Sequence, residues 1–233
     1  MNQNNWSQGQ ENKSPPDINA SVLAGSSIYS NALLAIYDLY VLGLSNTFAW
    51  RCKTEKLVSL YNENISSEHL DIGVGTGYYL DHCRFPSNSP RITLGDLNPN
   101  CLKKVSRRIA RYHPTSVIMN VLDPATYPSG SFHSIGINYL LHCIPGPFTT
   151  KLRVLDHLKP LLDNGGILFG STILGTEAPH NIFGNLLMKA YNRRGIFSNM
   201  EDNYSQLETA LREKFKDCKV VLEGCVAMFS ARA

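Results

Sequence analysis

From residue 69 onward the chain alternates two kinds of segment. Short apolar runs occur at HLDIG (69–73), RITLGD (91–96), SVIMNV (116–121), SIGINYLL (134–141) and GILFGSTIL (166–174). Stretches with helical spacing lie between them at 78–84, 100–111 and 151–162. A strand followed by a crossover helix returns the chain to its starting end, so repeated units of this kind build a parallel sheet with helices on both faces. The last two apolar runs, KVVLEG (219–224) and CVAMFSA (225–231), leave no room for a helix between them. They must therefore pair antiparallel. The expected architecture is α/β: a doubly wound, mainly parallel seven-stranded sheet closed by a C-terminal antiparallel hairpin.

The flanking regions complete the organisation. Residues 1–18 are rich in Asn, Gln, Ser and Pro and read as a disordered tail. Residues 19–233 read as a single domain. Its N-terminal part, 19–66, carries helical spacing over 28–43, ending at Gly43, and again over 46–62. An insertion at 175–203, with a helix at about 181–193, follows the fifth apolar run and precedes a helix at 204–215. Open α/β sheets bind ligands at the carboxyl ends of their strands, where such an insertion lies.

Composition excludes several classes. A net charge of +3 over 233 residues is too small to argue for a nucleic-acid partner. Lys103, Lys104, Arg107, Arg108 and Arg111 sit at helical spacing and read as a solvated helix face. None of the six cysteines has CxxC spacing, and no His/Cys cluster resembles a metal site. Free cysteines in apolar contexts behave as small hydrophobes and point to a reducing, cytoplasmic location. The polar N-terminus lacks a signal-peptide core, and no apolar run reaches the roughly 18 residues needed to span a bilayer. Nothing in the sequence marks an oligomeric state.

Gly73, Gly75 and Gly77 lie behind the first strand and ahead of a helical stretch. Glycines allow close approach of backbone to ligand, and a helix start offers unpaired N–H groups. The dinucleotide fingerprint G-x-G-x-x-G would place its third glycine at Tyr78, one residue later than Gly77, which weakens a nicotinamide reading. A phosphate-binding P-loop fails because no Gly-Lys-Ser/Thr follows. Asp96 ends the second strand, where an acid meets ribose hydroxyls in nucleotide-binding sheets; it also suits a cap ahead of Asn98-Pro99. Asp123 follows the third strand and could accept from an adenine amine, or simply form a turn before Pro124.

With LDIGVGTG, GDLNP, VLDP, NYLLHCIPG and LKPLLDNGGILFGSTIL, residues 28–233 resemble the class I S-adenosylmethionine-dependent methyltransferases, of small-molecule type and Rossmann-like fold. The resemblance implies S-adenosyl-L-methionine as cofactor and S-adenosyl-L-homocysteine as product. It implies that Asp71, Gly73, Gly75 and Gly77 hold the methionine end, Asp96 with Leu97 the ribose, and Leu122 with Asp123 the adenine. Asn138 and Tyr139 would lie beside the sulfonium. YDLYVLGLSNTFAWR is similar to the entry segment of small-molecule members, where this region forms a lid over the cofactor. Tyr37 and Arg51 would then face the methionine carboxylate, which suits a bidentate guanidinium.

Methyl transfer needs chiefly proximity and orientation. A base matters only where the acceptor must lose a proton, and His142 is the candidate for a base or a substrate contact, with a structural hydrogen bond as the alternative. The expected activity is methyl transfer to O, N or C of a small molecule, with 19–66 and 175–203 covering the pocket. No Asn-Pro-Pro-Tyr/Phe signature follows the fourth strand, which disfavours a nucleic-acid substrate. The rivals are a nicotinamide-dependent oxidoreductase and a protein that binds the cofactor without moving a methyl.

Overall fold

A computed structural model of the chain describes residues 45–233. The expected tail, the helix over 28–43 and Tyr37 lie outside the described residues. A π-helical turn at 45–49 leads into α1 (Thr54–Asn64), β1 (Glu68–Ile72), α2 (Tyr78–His82), β2 (Arg91–Asp96), α3 (Pro99–Arg108) and β3 (Thr115–Ile118). There follow β4 (Phe132–Asn138), α4 (Phe148–Lys151), α5 (Arg153–Leu158) and β5 (Leu162–Ile173). The chain ends with α6 (Ile182–Arg193), α7 (Tyr204–Lys214), β6 (Asp217–Glu223) and β7 (Val226–Arg232).

The seven strands form one sheet in the order β3-β2-β1-β4-β5-β7-β6. Strands β1 to β5 pair in parallel, whereas β7 runs antiparallel to both β5 and β6. The sheet is thus the mainly parallel one expected, with the hairpin at its end. Two apolar clusters cover its faces. One joins Leu70, Ile72, Ile135, Ile137 and Leu168 to Leu155 of α5 and Leu211 of α7. The other joins Ile92, Leu94 and Phe169 to Leu60 of α1 and Val105 of α3. Because both faces are covered, β1 buries four consecutive residues, His69 to Ile72, instead of alternating.

Three elements differ from the sequence reading, the first being the helical stretch over 46–62, which is a π-helical turn at 45–49 followed, after a break, by α1 from Thr54. The third apolar run is a strand only to Ile118, because its partner β2 ends at Asp96 and offers no further ladder. Met119 and Val121 are buried in the turn beyond it. The helical stretch over 151–162 splits into α4, α5 and a 3₁₀ turn at Lys159–Leu161, where Pro160 removes a donor that a continuous helix would need.

Strand β1 lies between β2 and β4, so the chain leaves β1 toward opposite edges of the sheet in turn. At such a switch point the connections diverge and open a crevice at the carboxyl ends. Asn98 caps α3 by accepting from the Asn100 amide at 2.9 Å, with Pro99 at the first helical position, and so fixes the start of the helix beside that crevice. Arg108 and Arg111 of the basic face bind Asp81 at 3.0 and 2.7 Å.

Candidate functional site

A cavity opens at this switch point. Its wall is built from residues 71–79 at the end of β1 and beyond, 96–98 at the end of β2, Cys101 of α3, 119–122 after β3, and 138–140 and 143–145 at the end of β4 and beyond, with Tyr61 from α1 and Ile196 from the 175–203 insertion. Of the residues singled out in the sequence, Asp71, Gly73, Gly75, Gly77, Asp96, Leu97, Leu122, Asn138 and Tyr139 line it.

The glycine spacing has a local cause at two positions. Gly77 caps α2 with φ 73°, and a Cβ there would meet Val105 Cγ1 at 2.7 Å, so the residue allows α3 to pack close. Gly75 has φ 52°, and a Cβ there would meet nothing within 4 Å. The turn is therefore open on the cavity side. The helix behind it is only five residues long. Part of the loop's N–H capacity goes to a neighbour: Val74 and Gly75 donate to the Asp96 carboxylate, as does Asn98 at 2.8 Å. Desolvation nevertheless pushes Asp96 up to about 6, because burial outweighs those three donors.

Asn138, 7% exposed, ends β4. Ser171 donates to its Oδ1, and its buried Nδ2 has no hydrogen-bond partner among the described residues. A buried amide donor left unmade costs about 1–3 kcal/mol, so this nitrogen marks a place where a ligand acceptor fits. Tyr139 holds φ 55° and donates its hydroxyl to Asn46 Oδ1 at 3.0 Å. Two carboxylates, an unmet amide donor and an open glycine turn fit a ligand with a cationic end and hydroxyl groups.

Three of the expected residues lie off the cavity wall. Asp123 is exposed and off the cavity wall; its Oδ1 accepts from Ala125 N at 3.1 Å and caps the 3₁₀ turn that follows, which is the turn-forming role. Arg51 is exposed and off the wall, and its Nη1 donates to Pro179 O at 3.3 Å. His142, 2% exposed, is also off the wall. The 3₁₀ turn at Leu141–Cys143 carries it inward, between the Tyr139 and Phe197 rings. Its Nδ1 accepts from the Ile173 amide at 3.3 Å, which places the ring proton on Nε2. Burial, then the Lys151 charge, pushes its pKa down to about 3. This geometry fits the structural hydrogen bond among its three expected roles. Turnover of His142→Gln, measured at saturating substrates, is expected to stay within about threefold of wild type, whereas loss of a general base costs about 10²–10⁴-fold.

Sequence reasoning missed Tyr61, Met119, Asn120, Ile144, Pro145 and Ile196 on the wall. The apolar pattern marks several of them as buried, yet core and cavity wall read alike in sequence. Ile196 reaches the cavity because the segment behind it is pinned. Ser198 N donates to His142 O at 2.8 Å, Asn199 Nδ2 to Ile173 O at 2.9 Å, and Asp202 binds Lys151 at 2.8 Å.

The family profile described as "Methyltransferase domain" matches residues 70–168. The chain is 38% identical over 214 residues to the demethylluteothin O-methyltransferase of Streptomyces thioluteus, covering 92% of itself and 93% of that protein. It is 40% identical over 209 residues to the physcion biosynthesis cluster O-methyltransferase of Aspergillus chevalieri, covering 89% and 94%. Among solved structures, the complex of DhpI with SAH superposes with a TM-score of 0.65 at 13% identity, over 92% of this chain and 97% of that one, a likeness of fold.

Proposed function

Because this chain belongs to the class I S-adenosylmethionine-dependent methyltransferases, we propose that it methylates a hydroxyl oxygen of a small natural-product acceptor. The nicotinamide and non-catalytic alternatives find no support among these relatives, both named as O-methyltransferases. The cofactor, when bound, supplies a methyl group on a sulfonium whose departure leaves a neutral thioether. This chain's residues bind and orient. Asp71 and the glycine turn take the methionine end. Asp96 accepts from the ribose hydroxyls, with Leu97 beside it. Met119, Val121 and Leu122 frame the adenine, and Asn138 and Tyr139 flank the reacting end.

The cavity wall carries this reading. Beyond its two carboxylates and the polar Thr76, Asn98, Asn120 and Asn138, the wall is apolar, tyrosyl or cysteinyl, with Tyr79, Leu140, Ile144, Pro145 and Ile196. Such a wall suits a flat, uncharged scaffold. All seven histidines lie among the described residues, and none lines the cavity. The acceptor hydroxyl is therefore one acidic enough to ionise by itself, a phenol or an enol, and the protein contributes proximity and dryness. Segment 175–203 covers the acceptor end, and the described N-terminal residues 45–66 border the cofactor site through Tyr61. The unpaired cysteines suit work in the cytoplasm, and the modest charge suits a partner other than nucleic acid. Among the described residues no helix is long and apolar enough to cross a membrane.

The test is mass spectrometry with methyl-labelled cofactor and a panel of phenols and enols of graded acidity. The expected product carries label on oxygen, and at saturating cofactor the pH–rate inflection follows each acceptor's own pKa. Label on nitrogen or carbon, or one inflection shared by all acceptors, would remove the proposal.

A further inference from the structure

Asp71 is 3% exposed yet sits on the cavity wall. A carboxylate so buried is useful to a ligand only if the fold satisfies one oxygen and leaves the other turned outward. We propose that Tyr61 and His69 are positioning residues that grip Oδ2 of Asp71 and so present Oδ1 to the ammonium of the cofactor's methionine end; this rests on the cofactor assignment made above.

The Tyr61 hydroxyl donates to Oδ2 at 2.8 Å, and His69 Nε2 lies 3.3 Å from the same oxygen. Oδ1 receives neither. As a carboxylate Asp71 only accepts, so Nε2 carries the proton. His69 Nδ1 lies 2.8 Å from Ser134 Oγ and 3.2 Å from Ser134 O, and Ser66 Oγ, which donates to Glu68 O at 2.8 Å, lies 2.8 Å from the same Ser134 hydroxyl. Ser134 Oγ in turn accepts from the Ser66 amide at 2.9 Å. Both ring nitrogens of His69 thus have partners, and β4, whose Ser134 faces His69 across the ladder, holds the ring's orientation.

Packing locks the same rings. Tyr61 stacks on Tyr79 at 5.4 Å and meets Phe169 edge-on at 5.0 Å, while His69 stacks on Phe169 at 5.7 Å. Gly136 of β4 faces the pair. A Cβ there would come within 2.9 Å of Asp71 Oδ2 and 3.2 Å of His69 Cε1, so only glycine leaves the carboxylate where it is. Thus α1 and β1 supply the contacts on Oδ2, β4 leaves it room at Gly136, and β5 packs the two rings through Phe169.

Calorimetric titration tests this with two ligands, S-adenosylhomocysteine and 5′-deoxy-5′-methylthioadenosine, which lacks the amino-acid end. Tyr61→Phe keeps the ring and removes one donor; His69→Gln removes the other. In either variant the Kd for S-adenosylhomocysteine is expected to rise about tenfold, while that for methylthioadenosine stays within about twofold. Unchanged affinity for S-adenosylhomocysteine would overturn the proposal. So would a parallel loss for both ligands, the mark of a merely structural role. Should His69→Gln not fold, Tyr61→Phe decides alone. Wild type that binds neither ligand would overturn the cofactor assignment instead, and the proposal with it.

Discussion

Lys151→Met is expected to destabilise the protein by about 3–5 kcal/mol, a fall of roughly 6–20 °C in Tm for a domain of this size. Lys151 and Asp202 are both fully buried, and Nζ donates to both carboxylate oxygens at 2.8 Å and to Ser198 O. Burial pushes the lysine down and lifts Asp202 to about 6, so for each partner desolvation outweighs their mutual attraction. The pair is therefore costly to break and of little net worth when replaced whole. The double variant Lys151→Met/Asp202→Leu, which strands no charge, is expected to recover most of the loss in urea unfolding. A single variant as stable as the double would show that Asp202 is not a stranded charge. The site shares the consequence. Backbone amides of Gly175 and Thr176 donate to Asp202 O at 2.8 and 3.1 Å, so the pair anchors both ends of the segment that brings Ile196 to the cavity.

Asp96→Ala is expected to weaken S-adenosylhomocysteine binding by about 1.5–3 kcal/mol, one to two orders of magnitude in Kd. The carboxylate would lose its ribose partners, and the Val74, Gly75 and Asn98 amides would lose their acceptor. The pKa near 6 adds a pH signature with a definite sign. Only the ionised form accepts from both ribose hydroxyls, so affinity falls as pH falls through 6. If the protonated form does not bind, Kd rises about tenfold between pH 7 and pH 5. Asp96→Asn should bind weakly at both pH values and lose that dependence. Wild-type affinity in the alanine variant would show that Asp96 does not face the sugar.

Much of the fold was legible because it depends on periodicity. RITLGD matches β2 residue for residue, and the absence of a linker between 224 and 225 forced the antiparallel hairpin of β6 and β7. The glycine turn was legible for a related reason. A turn with φ of 52–73° at Gly75 and Gly77 leaves few other residue types. Side-chain direction was less so. Asp123 and Leu122 are neighbours, yet Leu122 lines the cavity while Asp123 turns outward to cap a 3₁₀ turn. Asn138 and His142 stand four residues apart, yet the intervening backbone, with Tyr139 at φ 55° and a 3₁₀ turn at Leu141–Cys143, sends one to the cavity and the other into the core.

The sequence by itself determined the sheet, its hairpin, the open glycine turn and the acid at the end of the second strand. Those follow from local spacing, where each residue constrains only its near neighbours. The tertiary structure alone decided that Tyr61, Asn138 and Ile196 share one wall, that His142 is sealed behind it, and that Tyr61 and His69 meet on one oxygen of Asp71. Such contacts join elements far apart in the chain, and desolvation, which sets the protonation of Asp96 and His142, exists only once those elements have packed.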